Sequence, residues 1–235
     1  MEDQPPESPT PTLEPAPGPV AADPVIPWEA DDSPWASRLV ATIQLLFTRP
    51  REAFASVPLD GDLLKPFVFA LVVGSIGFSL NLLWEGLVRG AMHDLMARTG
   101  GTPRFELPLV AIPFMALFSP ALVALAVVCT AAIDHLFLLI VGGAKRGFGA
   151  TTRAVCYGFA AQLLLALPFC GGFFAGIAGL VFSIVGFSAV HRISVAQAAL
   201  AVLLPVLLCC ACIALALVTY GTAFLGSFGS GALMK

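Results

Sequence analysis

Charged residues are scarce in this chain. Asp, Glu, Lys and Arg make up 11% of its 235 residues, whereas about a quarter of the residues of a soluble domain are charged. Two long stretches lack charge altogether: 37 residues between Arg153 and His191, and 42 residues between Arg192 and Lys235. This scarcity excludes an ordinary soluble domain. It predicts helices that cross a membrane, each of which needs ~20 apolar residues.

The sequence also lacks the signatures of catalytic sites. Histidine occurs only at three positions, His93, His135 and His191, which fall in different predicted elements. The zinc-protease motif H-E-x-x-H, the nucleophile motif G-x-S-x-G and the phosphate-binding P-loop are all missing. We therefore predict a protein that is not an enzyme and that uses no cofactor. No basic patch is present, so nucleic acid is not expected as a partner.

The six cysteines offer no paired C-x-x-C sets of the kind that bind zinc. Cys209, Cys210 and Cys212 lie close together and could in principle hold a soft metal. Free cysteine also behaves as a small hydrophobic residue that suits helix packing. The sequence favours packing, and no metal site is predicted.

The N-terminal region has no basic residue before Arg38 and contains eight acidic residues among many prolines. Such a composition cannot bury enough apolar area to offset the entropy of ordering, so 1–32 is predicted to be a disordered, acidic, Pro-rich cytoplasmic tail. The first 60 residues lack the basic and hydrophobic regions of a cleavable signal peptide. Residues 33–65 are predicted to be an amphipathic cytoplasmic helical segment. It could lie in the membrane interface or pack on the membrane helices, and the two are compatible.

The rest of the chain predicts an all-α, polytopic membrane domain over 66–220, followed by a short Gly/Ser-rich tail at 221–235. Proline and glycine divide the apolar sequence into five transmembrane helices, with the longest loop at 89–106. Residues 107–141 could form one kinked helix or two pieces. The five predicted spans are about 66–88, 113–141, 151–167, 172–190 and 195–220.

The distribution of Lys and Arg predicts the orientation. With five spans, eight of these residues fall on the side of the N-terminus and four on the other. Since cytoplasmic loops carry the excess of positive charge, we expect the N-terminus in the cytoplasm and the C-terminus outside.

Asp134 and His135 form the most conspicuous polar pair, because they lie inside the second predicted span. An ionisable residue within the membrane is a functional-site hypothesis by default. A structural role is the alternative, with Asp134 accepting hydrogen bonds from a neighbouring helix or pairing with Arg153, and His135 bonding to a backbone carbonyl. If the pair is functional, the protein could be a small transporter or channel.

Small residues recur at four-residue spacing along the fourth predicted span, which allows the backbones of two helices to approach closely. This pattern predicts helix packing within the chain, or alternatively a homo-oligomer. The residues concerned are Gly172, Gly176, Gly179 and Ser183.

Several short motifs occur in an order that resembles a known family. Asp62-Leu63-x-x-Pro66-Phe67 enters the first span, His135 precedes Gly142-Gly143, Arg153 to Tyr157 opens the third span, and His191-Arg192-Ile193-Ser194 precedes the last. Together with five spans, this order is similar to the Yip family, the Ypt/Rab-GTPase-interacting membrane proteins and their bacterial relatives. The resemblance covers roughly 45–218.

The resemblance implies a multi-span fold and a non-catalytic role as a membrane scaffold, adaptor or membrane-organising protein. It marks Asp62, Leu63, Pro66, Phe67, Tyr157 and His191 as family-motif positions. Leu64 and Lys65 replace the Tyr and Gly of eukaryotic members, which indicates the bacterial-type branch. The expected partners are the lipid bilayer and a cytoplasmic protein that binds through 1–65. The expected membrane is the plasma (inner) membrane in a bacterium, or the Golgi or ER in a eukaryote.

Overall fold

The computed structural model describes residues 25–30, 32–98 and 111–232, and all regular structure in these residues is helical. Two short helices come first, α1 (Trp35–Thr48) and α2 (Pro50–Ala55), followed by the long α3 (Leu64–Arg98). Next come α4 (Ala111–Leu117) and α5 (Ser119–Ile140). The last part contains α6 (Gly147–Gly158), a 3₁₀ segment (Phe159–Ala166), α7 (Gly171–His191) and α8 (Val195–Ala232).

Four helices in the described residues are long and apolar enough to cross a membrane: Leu64–Val88, Ser119–Ile140, Gly171–His191 and Val195–Tyr220. The all-α, multi-span prediction is confirmed at this level. The third predicted span, at 151–167, is not one long α-helix in the structure, so five spans are not shown. There α6 ends at Gly158, and the chain continues as the 3₁₀ segment.

Close packing against two neighbouring helices accompanies the change to a tighter coil at Phe159. The 3₁₀ segment lies between α3 and α7, and these are its most extensive contacts. A Cβ atom at Gly77 of α3 would overlap the carbonyl oxygen of Gln162, and one at Gly171 would come within 2.6 Å of the Leu164 carbonyl oxygen. A 3₁₀ coil winds more tightly than an α-helix, and the two glycines supply the remaining space.

Helix ends also differ from the sequence prediction. The predicted loop at 89–106 is helical up to Arg98, because α3 continues beyond its membrane-length part. Residues 99–110 lie outside the described residues. Of the two alternatives for 107–141, the described residues show two pieces, α4 and α5, which meet at Phe118. Helix α8 continues to Ala232, so most of the predicted tail at 221–235 is helical.

The predicted tail at 1–32 includes six residues, 25–30, that pack against the helices; we call them the N-terminal strap. Ile26 is fully buried and Trp28 is 9% exposed. The Ile26 amide donates a hydrogen bond to the Ser56 carbonyl at 2.9 Å, and the Trp28 indole donates to the Lys65 carbonyl at 2.6 Å. The disorder prediction is therefore wrong for this strap, because two apolar side chains have a buried site to enter. Residues 1–24 lie outside the described residues.

The strap, α1 and α2 pack on one end of the helix bundle. Phe54 of α2 is buried against Phe182 and beside Gly186 of α7, where an added Cβ would come within 3.0 Å of the Phe54 ring. The ends of α5 and α7 and the starts of α3, α6 and α8 lie at this same end. We call it the N-terminal face; it comprises the strap, α1, α2 and residues 56–65, 141–157 and 191–197.

Candidate functional site

Helix α6 brings polar side chains into the N-terminal face in two directions. Arg153 and Tyr157 are four residues apart and therefore share one side of the helix, whereas Thr151 points away from Arg153 because each residue turns the helix by about 100°. All three side chains are buried. Two separate polar clusters form around them, one on each side of α6.

The first cluster surrounds Arg153, whose side chain is only 1% exposed. Its Nη2 atom lies 3.2, 2.9 and 2.6 Å from the backbone carbonyl oxygens of Asp60, Gly61 and Asp62. Its Nη1 atom lies 3.4 Å from both carboxylate oxygens of Glu29 in the strap. A buried cation is tolerated only when it is paired and hydrogen-bonded, and this arrangement meets both conditions.

Glu29 is held from three directions. The Tyr157 hydroxyl donates to Glu29 Oε1 at 2.6 Å, and Lys65 Nζ donates to the Glu29 carbonyl oxygen at 3.1 Å. Tyr157 also packs its ring on Phe69, with centroids 5.1 Å apart. The first cluster thereby fastens the strap, the turn before α3 and the second half of α6 to one another.

The second cluster is a chain of hydrogen bonds through His191, which is 1% exposed. The Arg146 amide donates to His191 Nδ1 at 3.2 Å, and His191 Nε2 lies 2.9 Å from Thr151 Oγ1. Thr151 Oγ1 lies 2.8 Å from His135 Nδ1. Because Nδ1 of His191 accepts, its proton sits on Nε2 and is donated to Thr151, whose own proton is then available for His135. This chain joins α5, α6 and α7.

Asp134 and Arg153 do not come together as the sequence suggested. Arg153 pairs with Glu29 instead, and among the described residues Asp134 has no hydrogen-bond partner. His135 bonds to a threonine hydroxyl rather than to a backbone carbonyl. Asp134 is half-buried in α5, beside a histidine that belongs to the second cluster.

Four of the family-motif positions surround the start of α3. Asp62 accepts from Arg153 through its carbonyl, while its Oδ1 atom accepts from the Leu64 amide at 3.3 Å. The Leu63 carbonyl accepts from the Phe67 amide at 3.0 Å, and Phe67 packs against the core. Pro66 lies in the first turn of α3. Tyr157 belongs to the first cluster and His191 to the second.

The small residues predicted to pack helices differ in their surroundings. Gly172 and Gly176 are exposed, with open space around the position of a Cβ atom. Gly179 faces Ala161 of the 3₁₀ segment, and Ser183 is half-buried. Closer approaches among the described residues occur at Gly77, Gly86 and Gly171, which the four-residue pattern did not select.

Sequence reasoning also missed Glu29 and Thr151. Glu29 follows Trp28, the only aromatic residue before Trp35, and an isolated aromatic in a polar tail is a sign of an anchor. Thr151 carries no such sign. The described residues contain no group of three His, Cys, Asp or Glu side chains that could hold a metal ion.

A comparison with protein-family models shows which family the chain belongs to. The Yip1 domain model matches residues 43–217, which is most of the chain. The chain is a member of the Yip1 domain family. The Yip1 domain family is generally non-catalytic. The four membrane-length helices agree with a multi-pass Yip1 protein. No curated protein and no solved structure matches the chain.

The limits of the Yip1 domain divide the first cluster. Arg153 and Tyr157 lie inside the matched residues, whereas Glu29 and the whole strap precede them. The second cluster lies entirely inside the match. The strap therefore lies outside the matched residues and contacts two buried side chains inside them.

Proposed function

We propose that this Yip1-domain protein is a non-catalytic membrane scaffold or adaptor that presents its N-terminal region to a cytoplasmic protein. The observation that carries the proposal is the first cluster. It fixes Glu29 against Arg153 and Tyr157, so the chain that precedes the strap starts from a defined point on the N-terminal face. An enzyme would need reactive groups beside a substrate cavity, but these polar groups are occupied by one another.

The proposal includes five membrane crossings, with α6 and the 3₁₀ segment together forming the third. Arg153, in the second half of α6, contacts the turn at 60–62 just before α3, and Ala166 at the end of the 3₁₀ segment accepts a hydrogen bond from Trp84 at 2.6 Å. From Leu64 to Trp84, α3 advances about 20 residues, or ~30 Å at 1.5 Å per residue. The hydrocarbon core of a bilayer is ~30 Å thick. A broken helix buried against its neighbours is acceptable at this depth.

Five crossings put the two ends of the chain on opposite sides of the membrane. The excess of Lys and Arg on the N-terminal side supports a cytoplasmic N-terminus and an outside C-terminus. Leu64 and Lys65 at the entry of α3 support the bacterial-type branch. The corresponding location is the plasma (inner) membrane, and a eukaryotic member would be expected in the Golgi or ER.

The N-terminal face has exposed apolar side chains that could contact a partner or the membrane surface. Trp35 is 62% exposed and Val40 is 53% exposed on α1, although Leu46 of the same helix is fully buried. Large exposed apolar groups beside polar ones are typical of interaction sites. The proposed partner surface therefore comprises residues 1–24 and the exposed side of α1.

Affinity capture from the native membrane in mild detergent tests the adaptor role. The full-length chain is compared with one lacking residues 1–24, which keeps the strap, and with one in which residues 1–24 are scrambled at constant composition. We expect a cytoplasmic protein that the full-length chain retains and both altered chains lose, and that binds the purified full-length protein directly. Retention by the scrambled chain would mean that charge alone attracts the partner. If no bound protein depends on residues 1–24 or on Trp35 and Val40, the adaptor proposal fails.

A second candidate function is a small transporter or channel that uses Asp134 and His135. It is favoured by the absence of a hydrogen-bond partner for Asp134 among the described residues, since an unpaired carboxylate in a span is unusual. Asp134→Asn distinguishes the two functions in reconstituted liposomes. A carrier would keep its fold and lose ion or proton flux, whereas a scaffold would show no flux with either residue.

A further inference from the structure

Three cations stand together at the N-terminal face without a carboxylate partner. Lys145, Arg146 and Arg192, which we call the basic triplet, are exposed, and none forms an ion pair with any residue that the structure describes. Two other arginines of this face differ, since Arg49 pairs with Glu52 and Arg153 pairs with Glu29.

The loops that carry the basic triplet are held together by hydrogen bonds. The Arg146 amide donates to His191 Nδ1 at 3.2 Å, which fixes the 142–147 loop beside the residue that precedes Arg192. The Gln197 side chain of α8 donates to the Val141 carbonyl at 2.8 Å. Arg192 itself adopts a left-handed conformation, φ 54°, which ends α7 and turns its side chain out of the helix. Because these contacts already hold the two loops in place, ordering the three side chains around a ligand costs less conformational entropy.

Exposed apolar side chains next to the basic triplet indicate its depth in the membrane. Ile140 is 62% exposed at the end of α5, and Val195 is 48% exposed at the start of α8. Phe148 follows the loop and is 46% exposed. Because hydrocarbon-facing residues continue up to both sides of the loop, the cations stand where the phosphates of lipid headgroups lie.

We propose that the basic triplet binds the headgroup of an anionic phospholipid, with the phosphate held between the 142–147 loop and Arg192. Three observations favour an acidic lipid over a soluble anion or an acidic protein. The positive charge lacks a carboxylate partner among the described residues, the loop geometry is fixed, and a lipid-facing surface adjoins it. Basic residues between membrane helices recognise anionic headgroups by the same physics. This inference concerns lipid class and does not depend on a protein partner.

Native mass spectrometry of the full-length protein in detergent tests the proposal. Phosphatidylglycerol and phosphatidylcholine with the same acyl chains are titrated separately, and the bound lipids are counted. We expect the wild-type protein to prefer phosphatidylglycerol. Each cation removed should weaken its binding about fivefold, which corresponds to about 1 kcal/mol, and leave phosphatidylcholine unchanged.

The variants separate the basic triplet from overall charge. Lys145→Gln with Arg146→Gln should reduce phosphatidylglycerol binding about 25-fold, and it keeps the Arg146 amide that bonds to His191. Arg49→Gln with Arg51→Gln removes the same charge from another part of this face and should have little effect. Exchanging the two cations, Lys145→Arg with Arg146→Lys, should preserve binding and show that the loop still folds. Equal binding of the two lipids by the wild-type protein, or an equal loss in the control pair, would overturn the proposal.

Discussion

The Arg153 guanidinium and the Glu29 carboxylate face each other across 124 positions of sequence, with 3.4 Å between Nη1 and each carboxylate oxygen. Arg153 is 1% exposed and Glu29 is 10% exposed at the side chain. Water therefore cannot replace either partner when the other is removed. The pair ties the strap to the Yip1 domain.

The first prediction follows from this burial. Arg153→Gln should lower the free energy of unfolding by about 3–5 kcal/mol, because it strands the Glu29 charge and removes donors from three carbonyl groups. Thermal and denaturant unfolding in detergent measure the loss. The matched control is Arg51→Gln on α2, an exposed residue whose replacement should change stability by no more than about 0.5 kcal/mol. Similar losses in both variants would show that the buried pair has no special role.

The second prediction compares two glycines in the middle of long helices. Gly77→Ala places a methyl group against the Gln162 carbonyl, so the 3₁₀ segment must shift, and overpacking of this kind costs about 1–3 kcal/mol. Among the described residues, the methyl group of Gly176→Ala meets no atom within 4 Å beyond the adjoining turns of its own helix. The change should be neutral or slightly stabilising, since alanine is the better helix former. Melting temperatures of the two variants in the same detergent provide the comparison. A loss at Gly176 would instead indicate that a second copy packs there.

The third prediction concerns the hydroxyl between the two histidines. Thr151→Val keeps the shape of the side chain but leaves His191 Nε2 and His135 Nδ1 without a partner, at a cost of about 1–3 kcal/mol. Thr151→Ser should retain most of the stability. The neighbouring change Thr152→Val removes only a bond to the Phe148 carbonyl one turn away, so its effect should be smaller. Were Thr152→Val the more damaging change, the second cluster would not stabilise the helix ends.

The fourth prediction tests the number of crossings. A reporter fused at residue 235 should lie on the opposite side of the membrane from one fused at residue 1, because α6 and the 3₁₀ segment together add ~34 Å of helix. Protease protection of tags in sealed vesicles measures the two positions. Protection of both tags together would mean four crossings. In that case α6 would re-enter the membrane and return to the same side.

The sequence predicts the four long helices well and the change of coil at Phe159 poorly, for a physical reason. A membrane helix must be apolar along ~20 residues whatever it packs against, so the runs ending at Val88, Ile140, His191 and Tyr220 are visible from composition alone. Residues 151–167 are less apolar than these runs, because they include Arg153, Tyr157 and Gln162. What changes their coil is the close approach to Gly77 and Gly171, a tertiary effect that apolar periodicity does not encode.

The residues of the candidate site could likewise be predicted only in part. Arg153, His135 and His191 were identifiable because ionisable residues in apolar surroundings are costly and few. Their partners were not, since Glu29 is one of eight acidic residues in the first 37 and Thr151 is an ordinary helix residue. The sequence therefore indicates which groups need a partner. Only the fold shows which partner each one has.

The strap has a consequence for the order of events during synthesis. Glu29 is made 124 residues before Arg153 and 128 residues before Tyr157, its two side-chain partners. At about 5–20 residues per second, the ribosome needs roughly 6–25 s to supply Arg153. Until α6 has been made and has folded, Glu29 has no Arg153 to pair with, and the strap stays accessible to chaperones and proteases. Docking of Glu29 thus marks a late step of assembly, and a nascent chain whose α6 fails to insert leaves its own N-terminus exposed for removal.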